Sequence, residues 1–293
     1  SGRDEMSFLN ELEARNPDSI SRLIADSGTS DVERAIVADS LGENDFLALL
    51  SPAAAGMMER IAQHAHEVTL RHFGRTVELF TPLYLSNYCV NGCVYCGFNA
   101  RNGIPRGRLT YEEAGREGEF IAATGLRHVL LLTGESPVES PVGYIAECVS
   151  RLRERFDSVS VEVYPLDAEG YERLVTAGCD GVTLFQETYD RTLYGEVHPS
   201  GPKRDFKWRL DAPERACAAG MRTVSIGALL GLGPWQREVF MTGLHAAWLQ
   251  KNYPGVSIGI SLPRMRPHAG CYDPSNASYA SFPVNDREFV QIL

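Results

Sequence analysis

Thr110-Tyr-Glu-Glu113, then Gly125, then His128-Val-Leu-Leu-Leu-Thr133 make up the stretch whose reading decides the fold. Thr110 and Glu113 form a capping box, in which a hydroxyl and a carboxylate each satisfy a backbone N–H left unpaired at a helix start. Gly125 stops that helix, because glycine accepts the left-handed conformation helix ends need. The run that follows is apolar nearly throughout, the pattern of a strand buried on both faces of a parallel sheet. It ends in the polar Thr133-Gly134-Glu135.

The same unit recurs outward in both directions. Further β-rich runs are predicted at Val77–Ser86, Ser158–Tyr164, Gly181–Gln186, Thr223–Leu230 and Val256–Leu262. Asp211-x-x-Glu214 reads as a second capping box, and Gly178 and Gly220 as further helix stops before strands. Strand–helix repeats of this length imply parallel strands joined by right-handed crossovers. The expected fold class is α/β, a TIM-like (β/α) barrel rather than an open sheet, with six strands represented. Residues 7–74 read as helices. Ser51 caps one with Pro52 at its first position, an apolar-rich stretch over 53–73 follows, and Gly74 ends it. The expected organisation is an N-terminal helical extension over 1–74 and a barrel over 75–293, closing in a helix over 286–293. A complete (β/α)8 barrel would need about two more βα units, so the barrel is expected to be C-terminally incomplete.

With 293 residues, 44% of them hydrophobic, the chain can bury a large core. The formal charge of −10 argues against nucleic-acid and anionic-membrane partners, which would require a basic patch. No apolar run reaches the roughly 18 residues of a membrane span, and Ser1-Gly2-Arg3-Asp4 lacks the layout of a signal peptide. Seven cysteines in a chain of this length do not read as a secreted disulfide framework. A cytoplasmic protein is expected.

Three of those cysteines carry chemistry. In Cys89-Val-Asn-Gly-Cys93-Val-Tyr-Cys96 the C-x3-C-x2-C spacing supplies three ligands to an iron–sulfur cube and leaves one iron without a protein ligand. An uncapped iron accepts an exogenous ligand, as an open catalytic metal site does. The four-residue step spans at most roughly 14 Å extended, so one loop can wrap the cube. Structural zinc would require a fourth ligand, and neither a second C-x2-C pair nor a His pair follows at a suitable distance. Cys93 and Cys96 alone could make a thioredoxin-like redox pair, a reading that leaves Cys89 without a role. Cys148, Cys179 and Cys217 read as buried, inert thiols. Cys271, in Pro267-His-Ala-Gly-Cys-Tyr272, could approach the active face or be incidental.

The C-x3-C-x-aromatic-C string resembles the hallmark of the radical S-adenosylmethionine (SAM) superfamily. Pro82-Leu-Tyr-Leu-Ser-Asn-Tyr-Cys89, Cys96-Gly-Phe98, Gln186-Glu-Thr-Tyr189, Gly201-Pro-Lys-Arg-Asp-Phe206 and Pro263-Arg-Met-Arg-Pro267 narrow the likeness to its tyrosine lyases. Asp31-Val-Glu-Arg-Ala-Ile36 and Leu50-Ser-Pro-Ala-Ala54 resemble the 2-iminoacetate synthases (ThiH) of thiamine thiazole biosynthesis. The resemblance runs from about residue 30 to the end. It implies a 4Fe–4S cluster on Cys89, Cys93 and Cys96, SAM as cosubstrate, L-tyrosine as substrate, an external one-electron reductant and a thiazole synthase partner. The related tyrosine lyase of hydrogenase-cofactor maturation shares these motifs and is the alternative. A non-catalytic iron–sulfur protein for electron transfer or sensing is the alternative of another class.

In parallel barrels functional groups gather at the C-terminal ends of strands. Each predicted run offers candidates there. Glu135, flanked by Gly134, suits the SAM ammonium and resembles the family's glycine–glutamate motif. Glu187 can accept from ribose hydroxyls. Arg209 resembles the arginine that holds the SAM carboxylate, for which a planar guanidinium is apt. Gly227, in Ile226-Gly-Ala-Leu-Leu-Gly231, leaves room for a flat adenine, although close packing also calls for glycine. Tyr95 and Phe98 could cover adenine or shield iron, or simply pack. On the substrate side Arg264 is the first choice for the tyrosine carboxylate, with Arg266 behind it, and Tyr84 resembles a substrate-contact position. Lys203 and Arg204 could hold an outer loop closed or form a solvated turn.

Overall fold

The computed structural model describes residues 7–265 and 282–293. Five helices lead: α1 (Phe8–Glu13), α2 (Pro17–Asp26), α3 (Thr29–Ile36), α4 (Glu43–Leu49) and α5 (Met58–Phe73). The alternating part follows as β1 (Phe80–Ser86), α6 (Tyr111–Ala123), β2 (His128–Thr133), α7 (Val142–Arg153), β3 (Ser158–Glu162), α8 (Ala168–Thr176) and β4 (Gly181–Glu187). Then come α9 (Arg191–Val197), α10 (Phe206–Leu210), α11 (Ala212–Ala218), β5 (Thr223–Ala228), α12 (Trp235–Asn252), β6 (Ser257–Ile260) and α13 (Asp286–Ile292). The six strands form one parallel sheet in the order β1-β2-β3-β4-β5-β6. A doubly wound sheet reverses its strand order partway. Here each crossover steps to the next strand in the same direction, which curls the sheet around an interior in the TIM-like manner.

Strand alternation sorts the side chains. Val129 and Leu131 of β2, Val159 and Val161 of β3, Val182 of β4 and Val224 and Ile226 of β5 are buried in one core with Ile145, Val149 and Leu152 of α7 and Tyr171 and Leu174 of α8. Each such side chain stabilises the fold by about 1.5–3 kcal/mol on burial. The alternate positions Leu132, Glu162, Thr183 and Phe185 line a cavity at the strand ends.

The caps explain which local expectations hold. Thr110 and Glu113 do form the capping box, and Gly125, Gly178 and Gly220 take φ of 90°, 97° and 92° after their helices. Asp211 does not form the second one. It sits between α10 and α11 with helical angles of φ −84° and ψ −3°, and its carboxylate instead accepts from Ser7 Oγ at 2.7 Å and pairs with Lys207. Nor does a helix run on from Pro52. Ala54 is buried against Val32, Ile36 and Ala48, so the chain turns through a short 3-10 segment, Ala54–Gly56, before α5 begins at Met58. Four strands, β1, β3, β5 and β6, are shorter at their starts or ends than the apolar runs. Val77 and Leu79 are exposed ahead of β1, and Leu230 lies past β5 in an isolated bridge to Arg264.

The leading helices share a core with the sheet's helices. Phe8, Ile20, Ile24 and Leu47 are buried with Phe240 and Met241 of α12, and the Phe8 ring stacks on His245 at 4.2 Å. Cys148, Cys179 and Cys217 are buried, and burial pushes all three thiols up, to about 11, 12 and 12. Among the described residues no helix is long and apolar enough to cross a membrane.

Candidate active site

Residues 87–96, which follow β1, carry the three thiols on loop and turn backbone rather than on a helix face. Such a loop has carbonyls that need partners. Asn99 Nδ2 donates to Cys93 O at 2.8 Å, and Asn102 Nδ2 to Gly97 O at 3.0 Å. The Arg106 guanidinium donates to the carbonyls of Asn87, Phe98 and Asn99 at 2.7, 2.9 and 2.7 Å. The loop is also tied to its neighbours: Val90 N–H donates to Glu135 O at 2.9 Å and Gly92 N–H to Ser200 O at 2.9 Å. A Cβ on Gly134 would lie 2.3 Å from Tyr88 O and 3.0 Å from Cys89 Cβ, so this glycine is what lets the end of β2 touch the loop.

Cys89, Cys93 and Cys96 share one cavity of about 270 Å³ with Tyr84, Tyr95, Gly134, Glu135, Glu187 and Arg209. Burial pushes the Cys93 thiol up to about 11 and raises Cys96 as well, so binding a cation here displaces protons. Among the described residues no three Cys, His, Asp or Glu groups converge closely enough to hold one metal ion. In a cube each cysteine takes a different iron, and three thiols spread along the lining of one cavity suit that arrangement.

The cavity's charged groups are arranged as a chain. Asn91 Nδ2 donates to Glu135 Oε2 at 2.6 Å, while Asn91 Oδ1 accepts from Lys203 N–H at 2.9 Å. Lys203 Nζ then reaches Glu187 Oε1 at 2.6 Å, with Arg209 Nη2 3.8 Å from the same oxygen. Arg209 is fixed by donating Nε–H to Phe185 O at 2.6 Å. Among the described residues Glu187 is the one non-glycine with positive φ, 74°, and the β4–β5 register shifts between Phe185 and Glu187. Such a conformation costs on the order of 1–3 kcal/mol and is retained where the surroundings over-determine it. They do so through Glu238, whose carboxylate accepts from Thr188 Oγ1 and Tyr189 N–H, both at 2.8 Å.

Tyr95 lies 2.7 Å from His198 Nε2. His198 Nδ1 is 2.8 Å from Tyr194 O, a carbonyl that only accepts, so Nδ1 carries the hydrogen and the Tyr95 hydroxyl donates to Nε2. Burial, then Lys203 and Arg209, push the imidazole down to about 2 and keep it neutral. Tyr84 and Phe98 meet edge to face at 5.8 Å at the rim.

Other expected site residues fall elsewhere. Arg264 does not line the cavity; its guanidinium pairs with Asp286 at 2.6 Å, donates to Val284 O at 3.2 Å and lies over the Phe289 ring, so it holds α13. Gly227 accommodates protein instead of open space, since a Cβ there would lie 1.7 Å from Ser261 O. Lys203 points inward while Arg204 is exposed, which separates two residues read as a pair. Arg266 and Cys271 lie outside the described residues. Sequence reasoning missed Asn91, Asn99, Asn102, Arg106 and Glu162. Only Glu162 had a usable signal, the period of two that places it on one face with Ser158 and Ser160.

Comparison with known proteins gives a consistent picture. The model of the Radical SAM superfamily matches residues 83–241. The chain is 40% identical over 265 residues to the 2-iminoacetate synthases of Salmonella typhimurium and Escherichia coli, covering 90% of this chain and 69% of each relative. It is also similar to the solved FeFe-hydrogenase maturase HydG from Carboxydothermus hydrogenoformans, with 31% identity and a TM-score of 0.81 over 97% of this chain. The chain spans 64% of the length of that structure.

Proposed function

The chain belongs to the radical SAM superfamily, and from that premise we propose that it is a lyase cleaving the Cα–Cβ bond of L-tyrosine. The products are 2-iminoacetate (dehydroglycine) and p-cresol, with methionine and 5′-deoxyadenosine formed from SAM. The observation that carries this reading is the 40% identity to 2-iminoacetate synthases over 90% of the chain, against 31% to the hydrogenase maturase.

The superfamily's cofactors are a 4Fe–4S cluster and SAM, and the donors present fit both. Cys89, Cys93 and Cys96 would hold the cluster. Glu135, oriented by Asn91, suits the SAM ammonium, Arg209 its carboxylate and Glu187 the ribose hydroxyls. When bound, these groups supply a carbon-centred radical through one-electron cleavage of SAM. The protein's part is orientation and exclusion of water. Leu132, Val163, Phe185, Tyr95 and Phe98 give the cavity its apolar walls, and the neutral His198 keeps the Tyr95 hydroxyl turned away as a donor. Tyr84, 52% exposed at the rim, is our candidate to meet the substrate ring. Arg266 remains our candidate for the tyrosine carboxylate.

An external one-electron reductant, a cytoplasmic setting and handover of the unstable imine to a thiazole synthase complete the reading. Anaerobic reconstitution with SAM, reductant and tyrosine tests it. Deoxyadenosine and p-cresol should appear together. Deoxyadenosine without p-cresol would assign another substrate, and cyanide or carbon monoxide among the products would assign the hydrogenase-maturation branch.

A further inference from the structure

Three glutamates face the cavity, and two of them already have partners. Glu135 is held by Asn91 and Glu187 by Lys203. Glu162, the last residue of β3, lines the same space but makes no hydrogen bond or ion pair with any described residue. Its register neighbour is Leu132, and Val163, Phe185 and Thr183 also line the cavity, none of them donating a hydrogen bond to it. A shielded carboxylate without a partner is unfavourable by itself and favours a ligand that brings a cation or hydrogen-bond donor.

The charged groups facing it are Glu187 from β4, Lys203 from the segment after α9, Arg209 from α10 and Glu135 from the end of β2. Burial first, then the Glu187 charge, raise the Glu162 carboxyl to about 7. In the reading given above, Glu135, Arg209 and Glu187 serve the three polar ends of SAM. Glu162 is then left for the second molecule.

We infer that Glu162 binds the amino group of the tyrosine substrate and takes one proton from it; this rests on the function proposed above. An ammonium group holds its hydrogens more strongly than a neutral amine, so removing a hydrogen atom from that nitrogen calls for a base within reach. In the transfer one ammonium N–H bond breaks and one carboxyl O–H bond forms. The amine and Glu162 are both left neutral, and no electrons change hands. Loss of the carboxylate charge also relieves its repulsion with Glu187.

The test is equilibrium binding to the cluster-loaded full chain under anaerobic conditions with S-adenosylhomocysteine present. The ligands are L-tyrosine and 3-(4-hydroxyphenyl)propionate, which lacks the amine. Glu162→Gln should weaken tyrosine binding at least tenfold, leave the propionate within twofold, and leave S-adenosylhomocysteine affinity within twofold. Glu162→Asp, which keeps the charge, should recover part of the loss. Glu162→Gln removes an unpaired charge and keeps the side chain's size, so its thermal midpoint should equal or exceed that of the wild type. Equal losses for both substrate ligands, a fall in S-adenosylhomocysteine affinity, or no change would each overturn the assignment. A wild-type chain that binds no tyrosine would remove the functional reading and this inference together, whereas tyrosine binding unaffected by Glu162→Gln would remove only the inference.

Discussion

Lys203 reaches from the segment after α9 to place Nζ 2.6 Å from Glu187 Oε1, while its own N–H donates to Asn91 Oδ1 at 2.9 Å. One residue thus couples the thiol-bearing loop to the left-handed Glu187 at the end of β4. Both side chains of the pair are about nine-tenths buried, at 12% and 10% exposure. Removing one partner of such a pair leaves an uncompensated charge and typically costs about 3–5 kcal/mol. Lys203→Met should therefore lower the unfolding free energy by about 3 kcal/mol in urea denaturation. Adding Glu187→Gln to that variant should restore most of the loss. A double variant as unstable as the single would show that the two residues are not coupled.

Asn91 makes the next link, and its amide suits the place because it donates to Glu135 and accepts from Lys203 at once. Asn91→Asp preserves size and the acceptor but replaces the donor with a second carboxylate oxygen beside Glu135. Like charges in such contact raise a carboxyl pKa and disfavour the ionised form. SAM affinity should fall about tenfold or more, equivalent to roughly 1.4 kcal/mol. Binding of S-adenosylhomocysteine to the reconstituted variant, measured by calorimetry, reads this directly. Unchanged affinity would dissociate the Asn91–Glu135 pair from nucleoside binding.

Gly134→Ala should act on the loop rather than on the nucleoside alone. The added methyl would meet Tyr88 O at 2.3 Å and Cys89 Cβ at 3.0 Å, and the first of these is backbone that cannot rotate aside. The cluster loop must then shift, and the variant should reconstitute with less iron per chain than the wild type while keeping its far-ultraviolet circular dichroism. Full iron loading would mean that the loop moves without disturbing its thiols.

Local chemistry in the sequence was enough to show the βα units, because the determinants of Thr110, Glu113 and Gly125 are contained within a few residues. Asp211-x-x-Glu214 has the same local form but a different fate. Ser7, which is 204 residues away, occupies the Asp211 carboxylate, and no local pattern encodes that contact. The same limit applies to the site. The thiol spacing, Glu135, Glu187 and Arg209 were legible as strand-end or motif residues and do share one cavity. Arg264 reads as a free cation until Asp286 and Phe289 are brought to it by the docking of α13. Lys203 looks like part of a solvated turn until Glu187 is seen in its unusual conformation.

Buried acids and imidazoles behind the site give stability an unusual pH profile. Burial raises the Glu238 carboxyl from an ordinary 4.5 to about 7, and lowers His245 from 6.5 to about 3. As pH rises from about 4.5 to 7, the unfolded chain loses the Glu238 proton before the native chain does, so this group's contribution is full below 4.5 and disappears by about 7. For His245 the sign is opposite. As pH falls from 6.5 toward 3, the unfolded chain takes up a proton that the native chain refuses, and stability is lost. The two oppose each other between 4.5 and 6.5, with Glu162 on the side of Glu238 and His198 on the side of His245. Replacing Glu238 by Gln removes one slope, so Glu238→Gln should be more damaging relative to wild type at pH 5 than at pH 7.5, by an amount of order 1 kcal/mol or more. His245→Phe, which keeps a ring to stack on Phe8, should instead compare best with wild type at pH 5. Urea midpoints for the three proteins at both pH values check this. Differences that do not change with pH would mean that neither group titrates differently in the folded and unfolded chains.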